Sequence, residues 1–289
     1  MMLRFIGIAI TAYIGFVLLV IINQRSFMYH PNMAGQPDIR RVPWMNKAQA
    51  ITEDGLKITA WFSPPKEDKP TVVFFHGNAS NVEMTATYKG HVFAQAGYGV
   101  LAAAYRGYNE NPGSPSETGI YKDARAQINW LINEQNIKPE NIVLYGESIG
   151  SGPAVQMATE YDVKALILEV PFSSALDIAK SSFFYIPFLS KLMKDKYINN
   201  EKIGKTTAPA LIGVGGGDSV VPMRFGQKLF EAANEPKKLK IYEQAGHENL
   251  YAYGFGDDMM KFIESLKDSS MEDLVKDNKA IEEQTPPAS

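Results

Sequence analysis

The chain has 289 residues, 45% of them hydrophobic, which is enough to bury the core of one large domain. Its net charge of −3 argues against nucleic-acid binding, which needs a strongly basic face. It has no cysteine, which excludes disulfides, a thiolate nucleophile and cysteine-ligated metal sites. Neither the charge nor the absence of cysteine decides the compartment.

The N-terminus carries an uncharged apolar run that begins at Phe5 and ends at Ile22. As a helix it is just long enough to cross a hydrocarbon core of about 30 Å. A membrane anchor over residues 1–25, a cleaved signal peptide and a buried core helix are the three interpretations. The run exceeds the roughly 7–15 apolar residues of a signal peptide, and no small-x-small cleavage site follows it. We therefore expect a single-pass membrane anchor.

The sequence indicates only weakly on which side of the membrane the rest of the chain lies. Arg4 precedes the apolar run, whereas four basic residues follow it closely: Arg25, Arg40, Arg41 and Lys47. The positive-inside rule favours a cytoplasmic catalytic domain, but long domains follow that rule poorly. The side therefore stays open.

After a proline-bearing linker over residues 26–45, short apolar runs alternate with amphipathic stretches. The pattern predicts helices that include residues 149–159, 225–233 and 259–266, and strands at residues 57–62, 71–75, 99–104, 141–145, 165–168, 210–213 and 239–242. Such alternation is typical of an α/β domain with a mostly parallel sheet flanked by helices, here over residues 46–267. Residues 268–289 are polar and acidic, and we predict that they are disordered.

The motif Gly146-Glu147-Ser148-Ile149-Gly150 lies between a predicted strand and a predicted helix. In that context a G-x-S-x-G sequence is typical of a tight turn that exposes a nucleophilic serine above the sheet edge. The alternative is a serine that only caps the helix. A cap does not require a glycine two residues away on each side, so we predict that Ser148 is a nucleophile.

A serine nucleophile needs a base, and the chain has four histidines: His30, His76, His91 and His247. In this kind of site the chain order is serine, acid, histidine. Only His247 follows Ser148, and it comes just after the last predicted strand. We predict that His247 is the general base, with a surface loop histidine as the alternative.

The acid of the site is expected between the serine and the histidine, after a strand. Asp218 fits, because the strand at 210–213 runs into a glycine-rich turn that ends at this residue. Glu169, at the end of an earlier strand, and Asp195 are the other candidates, and Asp218 could also be an ordinary turn residue. We predict that Asp218 orients the imidazole of His247.

Acyl transfer also needs backbone donors for the developing oxyanion. The Ile149 N–H, just after the nucleophile, is one candidate. The loop after the strand at 71–75 should provide the other, and Gly77 allows its backbone to approach a substrate. We therefore predict the N–H of Asn78 as the second donor, with Ala79 as the alternative. His76 is expected to be a structural residue that forms hydrogen bonds.

Residues 183–193 read FFYIPFLSKLM, an apolar stretch between two predicted strands. Three interpretations are open: ordinary core, a small lid that forms an acyl pocket, or a surface that dips into a bilayer.

Together these motifs resemble the α/β-hydrolase superfamily, in its serine aminopeptidase-like branch with N-terminally anchored members. The resemblance extends from about Gln24 to Leu266 and is carried by motifs in the right order: His76-Gly-Asn-Ala79, Tyr105-Arg-Gly-Tyr108, Ser114-Pro-Ser-Glu117, Gly146-Glu-Ser-Ile-Gly150, Pro171-Phe-Ser-Ser174, Asp218-Ser-Val-Val-Pro222 and Gly246-His247. It implies the α/β-hydrolase fold and serine hydrolase chemistry. Anchored relatives are often esterases, acyl-protein thioesterases or lipid hydrolases. The chain departs from the family in having Gly215-Gly-Gly-Asp218 where His-Gly-x-x-Asp is usual.

The expected activity is hydrolysis of a carboxylic ester or thioester, through an acyl intermediate on Ser148. An anchor would suit amphiphilic substrates such as acyl lipids or acylated proteins. A peptidase or amidase with the same three residues is one alternative, and a non-catalytic membrane-tethered scaffold is another. The sequence predicts no metal and no organic cofactor, because its histidines are not clustered and it has no phosphate-binding glycine loop.

Overall fold

The structure is a computed structural model that describes residues 2–66 and 68–268. The tail that we predict to be disordered therefore lies outside the described residues, apart from its first residue.

Within the described ranges, eight strands form one sheet in the order β1-β2-β4-β3-β5-β6-β7-β8. The strands are β1 (Asn46–Ile51), β2 (Lys57–Ser63), β3 (Thr71–Phe75), β4 (Gly99–Ala102), β5 (Ile142–Glu147), β6 (Ala165–Glu169), β7 (Ala210–Gly215) and β8 (Lys237–Tyr242). The first two pairings, β1 with β2 and β2 with β4, are antiparallel, and all the others are parallel. This is the mostly parallel sheet that the sequence predicts.

The α-helices of the described chain are α1 (Met2–Met28), α2 (Val82–Thr85), α3 (His91–Gln95), α4 (Glu117–Glu134), α5 (Ser151–Ala158), α6 (Ala175–Ser182), α7 (Leu189–Leu192), α8 (Met223–Ala232) and α9 (Phe255–Asp268). Serine side chains begin two of them. Ser116 accepts a hydrogen bond from the Gly119 N–H in α4, and Ser174 accepts one from the Asp177 N–H in α6. The central strands β3 and β6 are buried along their whole length, as expected where both faces of a parallel sheet are covered.

Three elements differ from the predicted ones. Strand β1 is not predicted, because its sequence NKAQAI has little β propensity; it is nevertheless paired with β2 along all six residues. The helical stretch before β4 is interrupted by a π-helical turn, Ala86–Gly90. Helix α1 ends at Met28, so the first three residues of the predicted linker are helical.

Helix α1 is long and apolar enough to cross a membrane, and a signal sequence would meet the same criterion. None of its most apolar stretch is buried in the protein, so the core-helix interpretation is wrong. Only one face contacts the domain. Val17, Val20, Ile21 and Gln24 are half-buried at helical spacing, whereas Ile22 on the other face is 73% exposed.

Candidate active site

Three loops bring the predicted triad to one edge of the sheet. Ser148 follows β5, Asp218 follows β7, and His247 follows β8. These strands are parallel, so their carboxyl ends lie along the same edge. The loop after β3, which carries Asn78, reaches that edge beside β5.

The Ser148 turn is tight and sterically constrained. Ser148 has φ of 51°, a left-handed conformation that is costly for a residue with a side chain. A Cβ atom on Gly146 would lie 2.6 Å from the carbonyl oxygen of Gly150, and one on Gly150 would overlap the carbonyl of Phe75. Both glycines are therefore required by close backbone packing, which a simple helix cap would not explain.

The imidazole of His247 joins the serine to the carboxylate. Its Nε2 lies 3.0 Å from Oγ of Ser148, and its Nδ1 lies 2.7 Å from Oδ2 of Asp218. The carboxylate can only accept, so Nδ1 carries the proton and Nε2 can accept the serine hydroxyl. The other carboxylate oxygen accepts hydrogen bonds of 2.8 Å from the N–H groups of Val220 and Val221, which fixes its orientation.

The other candidate acids have different partners. Asp195 forms a salt bridge of 2.7 Å with Arg25 of α1, and its side chain is buried. Glu169, the last residue of β6, forms a salt bridge of 2.6 Å with Lys89. Neither carboxylate contacts His247. The geometry therefore favours Asp218 as the acid among the three candidates.

His76 is buried in the core, and its ring forms no hydrogen bond with Ser148, Asp218 or His247. Its Nδ1 donates to the carbonyl oxygen of Gly77 at 2.8 Å, and its ring packs against Tyr105. Burial lowers the pKa of His76 to about 4, so the imidazole is neutral at pH 7. These contacts are those of a structural residue.

The Asn78 side chain is held by groups that the sequence does not single out. Its Oδ1 accepts from the backbone N–H of His30 at 2.9 Å and from the hydroxyl of Tyr108 at 2.7 Å. Its Nδ2 lies 2.7 Å from Nδ1 of His30. The backbone N–H of Asn78 donates no hydrogen bond within the described chain, which leaves it available to a ligand. His30 lies two residues after the end of α1, so the N-terminal segment helps to position this loop.

A largely buried ion cluster adjoins the Ser148 turn, with Glu169 fully buried and with Lys89 and Glu147 partly open to the cavity. Lys89 lies 3.0 Å from Glu147 and 2.6 Å from Glu169, and its Nζ also contacts the hydroxyl of Tyr145. Burial raises the pKa of Glu147, but the charge and the hydrogen bond of Lys89, together with the nearby His247 and His76, outweigh it, so the pKa is lowered overall. Burial, reinforced by the Glu147 charge, raises the pKa of Glu169. Lys89 therefore balances two carboxyl groups, one of which is next to the serine.

A cavity of about 660 Å³ lies against Ser148 and His247, within the usual size range of small-molecule sites. Its walls are mainly apolar. They come from α1, from the loop after β3, and from residues 172–195 between β6 and β7.

The apolar stretch 183–193, hereafter the lid, has two faces. Ile186, Leu189 and Leu192 face the cavity. Phe184 and Phe188 point the other way and are 83% and 73% exposed. The ordinary-core interpretation is therefore wrong for the two exposed rings, and the arrangement fits both the lid and the bilayer-surface interpretations.

A serine, a histidine and a carboxylate aligned at the carboxyl edge of such a sheet define the class of α/β hydrolases. Comparison with known proteins agrees. Residues 66–206 match the family model described as "Serine aminopeptidase, S33".

The uncharacterized protein Rv2307c of Mycobacterium tuberculosis is 33% identical over 247 residues, which cover 84% of this chain and 87% of the relative. Human alpha/beta hydrolase domain-containing protein 17B is 31% identical over 231 residues, covering 78% of this chain and 74% of that protein. Among solved structures, esterase Pf2001 of Pyrococcus furiosus aligns with a TM-score of 0.67 at 19% identity, over 83% of this chain and 97% of that one.

The chain therefore belongs to the α/β-hydrolase superfamily, and its residues 66–206 are similar to the serine aminopeptidase-like branch of these hydrolases. The predicted fold and the resemblance are both confirmed. The roles of individual site residues and the nature of the substrate remain predictions.

Proposed function

We propose that the protein is a serine hydrolase that cleaves carboxylic esters or thioesters. The observation that carries the proposal is the continuous line from Ser148 Oγ through His247 to Asp218, with distances of 3.0 and 2.7 Å. A base within hydrogen-bonding reach is what a serine hydroxyl needs to become a nucleophile.

The reaction proceeds in two halves. His247 Nε2 takes the hydroxyl proton as Ser148 Oγ attacks the carbonyl carbon, and it then gives that proton to the leaving alcohol or thiol. In the second half His247 activates a water that releases the acyl group from Ser148. Asp218 stabilises the imidazolium formed in each half. The backbone N–H groups of Asn78 and Ile149 bind the oxyanion.

Membrane tethering by α1 completes the proposal. The helix is long enough to span, its outer face is apolar and exposed, and Phe184 and Phe188 of the lid extend that surface. Tyr13 donates a hydrogen bond of 2.6 Å to the carbonyl of Tyr185, so the lid lies alongside a residue well inside the apolar run. Anchor and lid would enter the bilayer together, next to amphiphilic acyl substrates.

Two assays test the activity in detergent-solubilised full-length protein. A fluorophosphonate probe should label Ser148 in the folded protein, and Ser148→Ala should abolish labelling while thermal stability stays close to wild type. No labelling would favour a non-catalytic scaffold. Hydrolysis of p-nitrophenyl acyl esters should exceed that of aminoacyl p-nitroanilides. Efficient anilide cleavage with negligible ester cleavage would instead identify a peptidase.

A further inference from the structure

Helix α1 contributes directly to the cavity that contains the nucleophile. Six residues of its last turns line the cavity: Val20, Ile21, Gln24, Arg25, Phe27 and Met28. Val20, Ile21, Gln24 and Met28 are half-buried and repeat at the spacing of one helix face. Leu19 and Ile22 are their immediate neighbours, and they are 58% and 73% exposed. The helix therefore has one face toward the cavity and another toward its surroundings.

Directional contacts fix this wall in place. Besides the Arg25–Asp195 salt bridge, Gln24 accepts a hydrogen bond of 2.7 Å from the Lys194 N–H. Just beyond the helix, the hydroxyls of Tyr29 and Tyr197 are 2.9 Å apart in a buried site. A helix that served only as a tether would need none of these contacts with the lid and the segment that follows it.

The chemistry of the enclosed space matches an aliphatic chain. Ile178 of α6 and Leu189 and Leu192 of the lid line the same cavity as the α1 side chains. Among the charged lining groups, Arg25 pairs with Asp195 and Lys89 pairs with Glu147. Apart from the exposed Glu248, these charges are paired, and such mainly apolar walls favour methylene groups over a charged ligand.

The position of the wall along α1 also matters. Val20 and Ile21 are among the last residues of the apolar run, close to where it would leave the hydrocarbon core. Tyr13, which contacts the lid backbone, lies eight residues before Ile21, roughly 12 Å along the helix. With α1 spanning the membrane as proposed above, lid and helix would be in contact at the depth where the acyl chains of a bilayer lie.

We propose that α1 is one wall of an acyl-chain site, and that Val20 and Ile21 limit the length of the acyl chain that Ser148 can accept. The inference rests on the proposed esterase function. It makes the membrane helix a specificity element of the catalytic site, not only a tether. The acyl chain can belong to a lipid ester or to an acylated protein, because both present the same methylene groups to this wall.

The experiment measures kcat/KM of the full-length protein in detergent for p-nitrophenyl decanoate and p-nitrophenyl acetate, and takes their ratio. A ratio does not depend on the fraction of active enzyme. Ile21→Trp introduces bulk into the cavity, whereas Ile22→Trp introduces the same bulk on the exposed face. Val20→Trp and Leu19→Trp repeat the comparison with a second matched pair, in case one variant folds poorly.

We expect Ile21→Trp and Val20→Trp to lower the decanoate-to-acetate ratio at least tenfold, because each methylene excluded from the site costs about a factor of four. Ile22→Trp and Leu19→Trp should leave the ratio within about twofold of wild type. Equal changes in both members of each pair, or no change in either, would overturn the inference. A wild-type protein that hydrolyses neither ester would refute the proposed function, and the inference with it. Rates of hydrolysis of a lysophospholipid and of an S-acylated peptide then show whether the acyl chain comes from a lipid or from a protein.

Discussion

Replacing Lys89 by methionine tests whether the buried cation is needed to balance the carboxyl groups beneath the nucleophile. The substitution keeps most of the side-chain volume but leaves the fully buried Glu169 and the mostly buried Glu147 without their shared cation. Removing one partner of a buried ion pair typically costs about 3–5 kcal/mol, because the remaining charge is desolvated and unpaired. For a domain of this size, that loss lowers Tm by roughly 6–20 °C.

The loss should depend on pH. Without Lys89, burial raises the pKa of both carboxyl groups above their unfolded values. A group whose pKa is raised in the folded state binds protons more tightly there, so lowering the pH favours the folded state. The stability difference between Lys89→Met and wild type should therefore be largest near pH 8 and shrink toward pH 5, by up to about 1.4 kcal/mol per pH unit for each carboxyl group that is titrating.

The assay is thermal unfolding in detergent across that pH range. Lys138→Met is the matched control, since Lys138 pairs with Glu140 on the exposed surface and its loss should change stability by no more than about 0.5 kcal/mol. Adding Glu169→Gln to Lys89→Met should recover part of the loss, because only one buried carboxylate then remains. A Lys89→Met protein as stable as wild type at pH 8 would refute the reasoning.

Two further variants test the site through ester hydrolysis. Asp218→Asn should lower kcat about 10⁴-fold with little loss of stability, because an amide no longer holds His247 in the tautomer that accepts the serine proton; activity near wild type would contradict the assignment of the acid. His30→Ala removes the imidazole partner of the Asn78 side chain and should lower kcat roughly 10–100-fold by misplacing an oxyanion donor, with KM little changed. Its control is His91→Ala; a His30→Ala effect on KM alone, or equal effects of both variants, would argue against a positioning role.

Much of the fold and the triad could be predicted because they depend on chain order. Ser148, Asp218 and His247 each follow a strand with a clear apolar pattern, and parallel strands place their carboxyl ends at one edge. Gly146 and Gly150 also predict the tight turn at Ser148, because close packing of that turn leaves no room for a side chain at either position.

The supporting contacts could not be predicted in this way. His30 and Asn78 are 48 residues apart in sequence, and no local pattern pairs them. Lys89 reaches Glu147 and Glu169 from a π-helical turn, whose irregular geometry has no sequence periodicity. The sequence also could not predict which face of α1 lines the cavity. Both faces are apolar over most of the run, and only the contacts with the folded lid distinguish them.

The central claim is that Ser148 is the nucleophile and forms an acyl intermediate, and direct detection of the acyl-enzyme tests it most closely. Full-length protein would be mixed with a p-nitrophenyl ester, quenched in acid within the first turnover, and digested for mass spectrometry. The account predicts one acyl group on the peptide that contains Ser148, formed with a burst of p-nitrophenol and absent from Ser148→Ala. Turnover without any acylated peptide, or an acyl group on a different residue, would contradict it.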